Sequence, residues 1–104
     1  MGIIGVFDNP RFMDRYTVVL DERSPRVPGA DGEHYYIMLS MSNSPHLPNG
    51  ISILVEGRFF PSGDNSHLGE SISFDALPED IQAHVRERLE DWKTLTRGGL
   101  HGTV

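Results

Sequence analysis

The sequence predicts an α+β protein: an antiparallel sheet of four to five strands with one long C-terminal helix packed on one face. Three observations carry this expectation. Apolar, β-branched and aromatic runs recur between residues 3 and 74, separated by stretches rich in Gly, Pro, Asn and Asp. From Leu77 onward the spacing of apolar residues changes from the period of a strand to that of a helix. Strands come first and the helix last, an order that suits a sheet crossed by one helix rather than alternating βαβ units.

The elements follow in order. Ile3–Phe7 is a short apolar run that predicts an edge strand, and Asp8-Asn9-Pro10 after it reads as a turn. Tyr16–Leu20 (YTVVL) is apolar on both faces, as expected of a strand placed centrally in the sheet. Asp21–His34 holds two prolines, two glycines and many charges, and predicts a solvated loop. In Tyr35–Met41, Tyr35, Ile37, Leu39 and Met41 share one face, and Tyr36, Met38 and Ser40 share the other. Ser42–Gly50 (SNSPHLPNG) connects this strand to Ile51–Val55, where Ile51, Ile53 and Val55 point one way. Gly57–Phe60 continues that strand past an expected glycine bulge. Pro61–His67 is a polar turn, and Glu70–Phe74 predicts a last short strand with Ile72 and Phe74 inward.

Pro78, Glu79 and Asp80 are helix-start residues: a proline suited to the first turn, then acids near the positive end of the dipole. Leu77, Ile81, Val85, Leu89, Trp92 and Leu95 then fall in one core-facing stripe, with Trp92 the expected anchor. Lys93 and Arg97 suit the last turn, and Gly98-Gly99 stops the helix. The organisation expected is one domain over residues 1–97 and a flexible tail over 98–104.

Composition narrows the classes of function. The 104 residues include no cysteine, so disulfides, Cys-based zinc sites and thiol chemistry are excluded, and a reducing, cytoplasmic setting is expected. The opening MGIIGVFDNPR lacks a basic stretch and a long apolar run, so neither a leader nor a membrane span is expected there. Net charge is −6, spread along the chain, with Lys93 the sole lysine. No basic stripe is present to track phosphates, so direct nucleic-acid binding is not expected.

Several stretches resemble a family when taken together: Asp14-Arg15-Tyr16-Thr17-Val18-Val19; Met41-Ser42-Asn43 with Pro45, Pro48 and Gly50; and His67-Leu68-Gly69 followed by Ile72, Phe74, Leu77 and Pro78. They resemble small uncharacterised bacterial proteins associated with phages and plasmids, whose outline is a DRYTVV strand, an MSxNPxxPxG loop and an LGKxIxFxxLP lead into a helix. Ser44 interrupts the Asn-Pro pair of that outline, and Glu70 stands where it has Lys. The resemblance implies a mobile-element or accessory setting and no particular activity.

The chemistry-bearing residues form no catalytic motif. The chain contains no HExxH, no calcium loop, no GxSxG and no Gly-rich phosphate loop. The expectation is therefore a non-catalytic accessory protein, without cofactor, that binds another protein. Its candidate contact residues are Asn43, Pro45, His46, Pro48, Asn49 and Gly50 in the proline-bearing loop, with Asp64 and His67 in the polar turn. Prolines fix two φ angles of the loop, and Asn49-Gly50 suits positive φ, so the loop is a rigid connection between two strands and, on the functional reading, pre-formed for recognition. Two alternatives remain open at this stage. One is a small metal-dependent hydrolase using His46, His67 and Asp64. The other is an acidic inhibitor imitating nucleic acid; the helix face with Glu79, Arg86, Glu87, Glu90 and Asp91 reads most simply as solvated, with an acidic binding surface as its other reading. An exposed edge at Ile3–Phe7 would also invite pairing between two copies of the chain.

Overall fold

A computed structural model describes residues 2–24, 34–45 and 47–94. Among the described residues, five strands form one sheet in the order β4-β3-β2-β1-β5. They are β1 (Ile3–Asp8), β2 (Tyr16–Arg23), β3 (Tyr35–Met41), β4 (Ser52–Arg58) and β5 (Glu70–Ser71), and each neighbouring pair is antiparallel. Short 3₁₀ turns at Ser66–Leu68 and Phe74–Ala76 flank β5, and helix α1 spans Glu79–Thr94. The α+β architecture is the one the periodicity predicts. The expected features at Leu95, Arg97, Gly98 and Gly99, the expected tail and the greater part of the expected 21–34 loop lie outside the described residues.

Alternation sorts the strand residues into two cores. Val6, Tyr16, Val18, Leu20, Ile37, Leu39 and Met41 face the helix and are buried together with Leu77, Ile81 and Val85. On the opposite face Phe7, Val19, Tyr36, Met38 and Phe59 form a second buried cluster, with Val55 and Leu68 packed against it. The segment that follows β4 supplies the cover: Phe59 sets its ring edge-on to Phe7 and to Tyr36, with centroids 6.1 and 5.6 Å apart. Two-sided burial explains why β2 and β3 read as nearly continuous apolar runs instead of strict alternation.

Several sequence expectations are corrected. The Ile3–Phe7 strand is an edge only in its first half, because β5 lies outside its end: Phe7 pairs with Ser71 and Asp8 with Glu70, and the Ile72 N–H donates to the Val6 carbonyl at 2.9 Å. Val6 and Phe7 are buried on opposite faces of the sheet, which calls for cover on both. The Tyr16 strand runs on to Arg23 instead of ending at Leu20, with an irregular register between Val19 and Arg23. Gly57 makes no bulge. It pairs in register with Tyr36, and a Cβ there would come within 2.9 Å of the Met38 sulfur, so a larger residue would push the end of the Met38 side chain aside. The last strand is only Glu70–Ser71; Ile72 and Phe74 still pack against the helix-side core.

The anchor of the helix is not Trp92. Ile81 and Val85 are fully buried. Trp92 is half-buried, outside the helix-side cluster, and its indole N–H donates to Glu22 Oε2 at 3.2 Å. The central turns of the helix meet the sheet while its last turn reaches the extended end of β2. Full burial of one such aliphatic side chain is worth about 1.5–3 kcal/mol. Ile81→Ala is therefore expected to destabilise the fold by about 2–5 kcal/mol. Trp92→Phe, which keeps most of the ring, is expected to cost less than about 1.5 kcal/mol. Urea denaturation followed by circular dichroism measures both; equal losses would contradict this assignment of the anchor.

Candidate functional site

One end of the sheet gathers the β1–β2 turn over residues 9–15 and the β3–β4 loop over 42–51, and a third connection, which starts beside His34 at the opposite end, brings residues 66–69 up to the first of these. Arg15 ties the first two together. Its Nε and Nη2 donate to Asp8 Oδ1 and Oδ2 at 2.6 and 3.0 Å, a two-pronged fork across the base of the β1–β2 turn. Its Nη1 donates to Asn43 Oδ1 at 3.3 Å, and its guanidinium lies 5.0 Å from the Tyr16 ring centroid. The bond to Asp8 raises the Arg15 pKa, and the neighbouring Tyr16 and Asp8 charges add to it against desolvation. Asp14 is held separately, as its Oδ2 accepts from the buried Ser40 hydroxyl at 3.0 Å.

The β3–β4 loop is closed by Ser42, whose N–H donates to the Ile51 carbonyl and whose Oγ accepts from the Ile51 N–H, both at 2.9 Å. Inside it, the Leu47 N–H donates to the Ser44 carbonyl and the Gly50 N–H to the Leu47 carbonyl. Pro45 is buried; Asn43, Pro48 and Asn49 are exposed; Gly50 is half-buried. His46 lies outside the described residues. Gly50 serves by smallness rather than by the positive φ expected of it. A Cβ there would run into the Ser44 carbonyl, and among the described residues only Gly69 has positive φ.

In the third connection, Asn65 mimics a strand partner: its Oδ1 accepts from the Phe60 N–H at 2.8 Å and its Nδ2 donates to the Phe60 carbonyl at 2.9 Å. Asp64 Oδ1 accepts from the Ser66 N–H at 2.9 Å, which holds its carboxyl below the usual range. His67 Nε2 donates to the Arg58 carbonyl at 2.8 Å. Gly69, at φ +113°, passes so near β1 that a Cβ would lie 2.6 Å from the Asp8 carbonyl oxygen. Asp64 and His67 thus direct polar atoms at their own backbone. Among the described residues, no group of three His, Cys, Asp or Glu stands close enough to hold a metal ion.

The sequence reading passed over the apolar part of this end. Phe12 and Met13, in the β1–β2 turn, are 60% and 82% exposed, and Leu47 in the next loop is 48% exposed. Met13 and Leu47 line one hollow with Asn43 and Asn49. Phe12 lines two other hollows with His67. The β1–β2 turn therefore bridges the two segments that carry the sequence candidates. The available signal was a Phe-Met pair between Pro10 and Asp14, outside any strand period.

No protein-family model matches the chain, and searches of curated proteins and of solved structures find no significant relative. Among the described residues, no helix is long and apolar enough to cross a membrane.

Two outcomes are expected. Arg15→Lys keeps the charge but loses the fork, so amide hydrogen exchange should quicken in residues 9–15 and at Asn43 while β3 stays protected. Asp64, with its pKa lowered by the Ser66 N–H, stabilises its turn at neutral pH; that contribution is lost as pH falls through the lowered pKa. An NMR titration of the Ser66 amide should show a midpoint below the ordinary aspartate value of about 3.9.

Proposed function

We propose that this protein is a non-catalytic accessory protein that binds another protein through the loop end of its sheet. One observation carries the reading: Phe12 and Met13 stand out from a turn whose base is clamped by the Arg15–Asp8 fork. Single exposed apolar residues are ordinary on protein surfaces. Here Met13 and Leu47, from two separate connections, line one hollow, and Phe12, next to Met13 in the chain, lines two others. Each forgoes part of the about 1.5–3 kcal/mol that burial would supply, and a partner's surface can recover it. Because the turn is already held, little ordering entropy opposes binding.

Asn43 and His67 supply polar groups at the margins of this strip, as the rim of a protein interface usually does. The phage- or plasmid-type setting implied by the DRYTVV, MSN and HLG stretches is part of the same proposal. It suits a small chain whose work is to engage a host or mobile-element protein.

The test is affinity capture with quantitative mass spectrometry, using wild type, Phe12→Ser/Met13→Ser and the helix-surface control Glu87→Gln. The expected result is a partner enriched by wild type and the control and reduced at least about tenfold by the double variant, a loss of about 1.4 kcal/mol or more. A double variant that folds normally and keeps every partner would overturn the proposal.

A further inference from the structure

The sheet has very unequal margins. One is β5, two residues long; the other is β4, seven residues long. At the ends of the β3–β4 pair the Ser42 N–H donates to the Ile51 carbonyl and the Phe59 N–H to the His34 carbonyl. The register between them is unbroken. Strict alternation then turns the odd-numbered residues of β4 toward β3 and directs the N–H and C=O groups of Ser52 and Leu54 outward. Natural edges are usually blunted by proline, lysine, a bulge or brevity. Residues 51–55, ISILV, contain none of these.

The side chains along this margin have a symmetric pattern. Ile51, Ile53 and Val55 lie on the face opposite the helix, β-branched residues placed evenly about Ile53, which is 52% exposed. No charge falls within 51–55, so two copies of a chain with net charge −6 can meet there at an uncharged strip. The helix leaves room, since Ile81 and Val85 pack with Val18, Leu20, Leu39 and Met41, and His84 reaches sideways to Ser52 Oγ at 2.6 Å.

We infer that β4 pairs antiparallel with β4 of a second copy of this chain, about a two-fold axis beside Ile53. In this register Ser52 and Leu54 exchange backbone hydrogen bonds with Leu54 and Ser52 of the other copy. Ile53 meets its own counterpart in the closer, non-hydrogen-bonded type of pair, and Ile51 faces Val55. The sheet runs on through both molecules with both helices on one side. A strip this short falls below the roughly 1,000 Å² typical of stable interfaces, so half-association is expected at about 10 µM or above. The surface is separate from Phe12 and Met13, so this inference and the proposed function stand or fall independently.

The experiment is sedimentation velocity from about 10 µM to about 1 mM, on wild type and Ile53→Lys, with circular dichroism confirming the fold. The chain has no cysteine, so Ile53→Cys adds a single thiol for cross-linking by oxidised glutathione, and Ile4→Cys, at a position 39% exposed, is the control. The expected result is a concentration-dependent dimer in wild type, weakened at least about tenfold in Ile53→Lys, with Ile53→Cys cross-linking much faster than Ile4→Cys. A wild type that stays monomeric throughout, a dimer indifferent to Ile53→Lys, or equal cross-linking of the two cysteine variants would overturn the inference.

Discussion

The contact between Ile81 and Val85 on one side and the central strands β2 and β3 on the other is the constraint from which the rest follows. Val18, Leu20, Leu39 and Met41 have no exposure at all, and they achieve this only because the helix covers them. The opposite face of the same strands needs a different cover, and the chain leaving β4 supplies it with Phe59 and Leu68. That return path carries the backbone back to β1, where β5 pairs with it, and so places residues 66–69 beside the β1–β2 turn. The location of the candidate site is a consequence of covering both faces of one sheet.

The class of fold was legible because periodicity reports burial directly. Tyr35–Met41 alternates as read, and its two faces are the two cores. What misled was the weight given to size and to glycine. Trp92 is the largest side chain of the helical stripe, yet it sits past the central turns that meet the sheet. Its indole instead reaches Glu22, on an extension of β2 that charge-rich composition disguised as loop. Gly57 and Gly50 carry no positive φ; Gly50 is glycine because the Ser44 carbonyl occupies the space a Cβ would need, and at Gly57 a Cβ would press on the end of Met38. Close approach between segments distant in sequence leaves no local mark.

The candidate site was half legible. Proline and asparagine spacing pointed to the 42–50 loop, and its ends are indeed pinned by Ser42 and Ile51. Phe12 and Met13 stayed hidden because two apolar residues inside a turn look the same whether they fold inward or outward. The turn that carries them is held by the fork of Arg15 on Asp8 together with the Asn9 N–H to the Arg15 carbonyl and the Phe12 N–H to the Asn9 carbonyl, contacts that no local pattern announces. Asp64 and His67 invited a chemical reading by residue type, whereas their polar atoms are engaged in holding their own segment in shape.

The order of elements along the chain has a bearing on biosynthesis. β1 through β4 leave the ribosome well before Ile81 and Val85, and their helix-facing side chains have no cover until those residues appear. The nascent meander therefore spends an interval as an uncapped apolar layer, the state most open to misassociation. β1 also waits for Ser71 to complete its outer ladder. Closure of long-range contacts comes late for such topologies, so a ribosome pause ahead of the codon for Ile81 would lengthen the interval in which chaperones engage this chain.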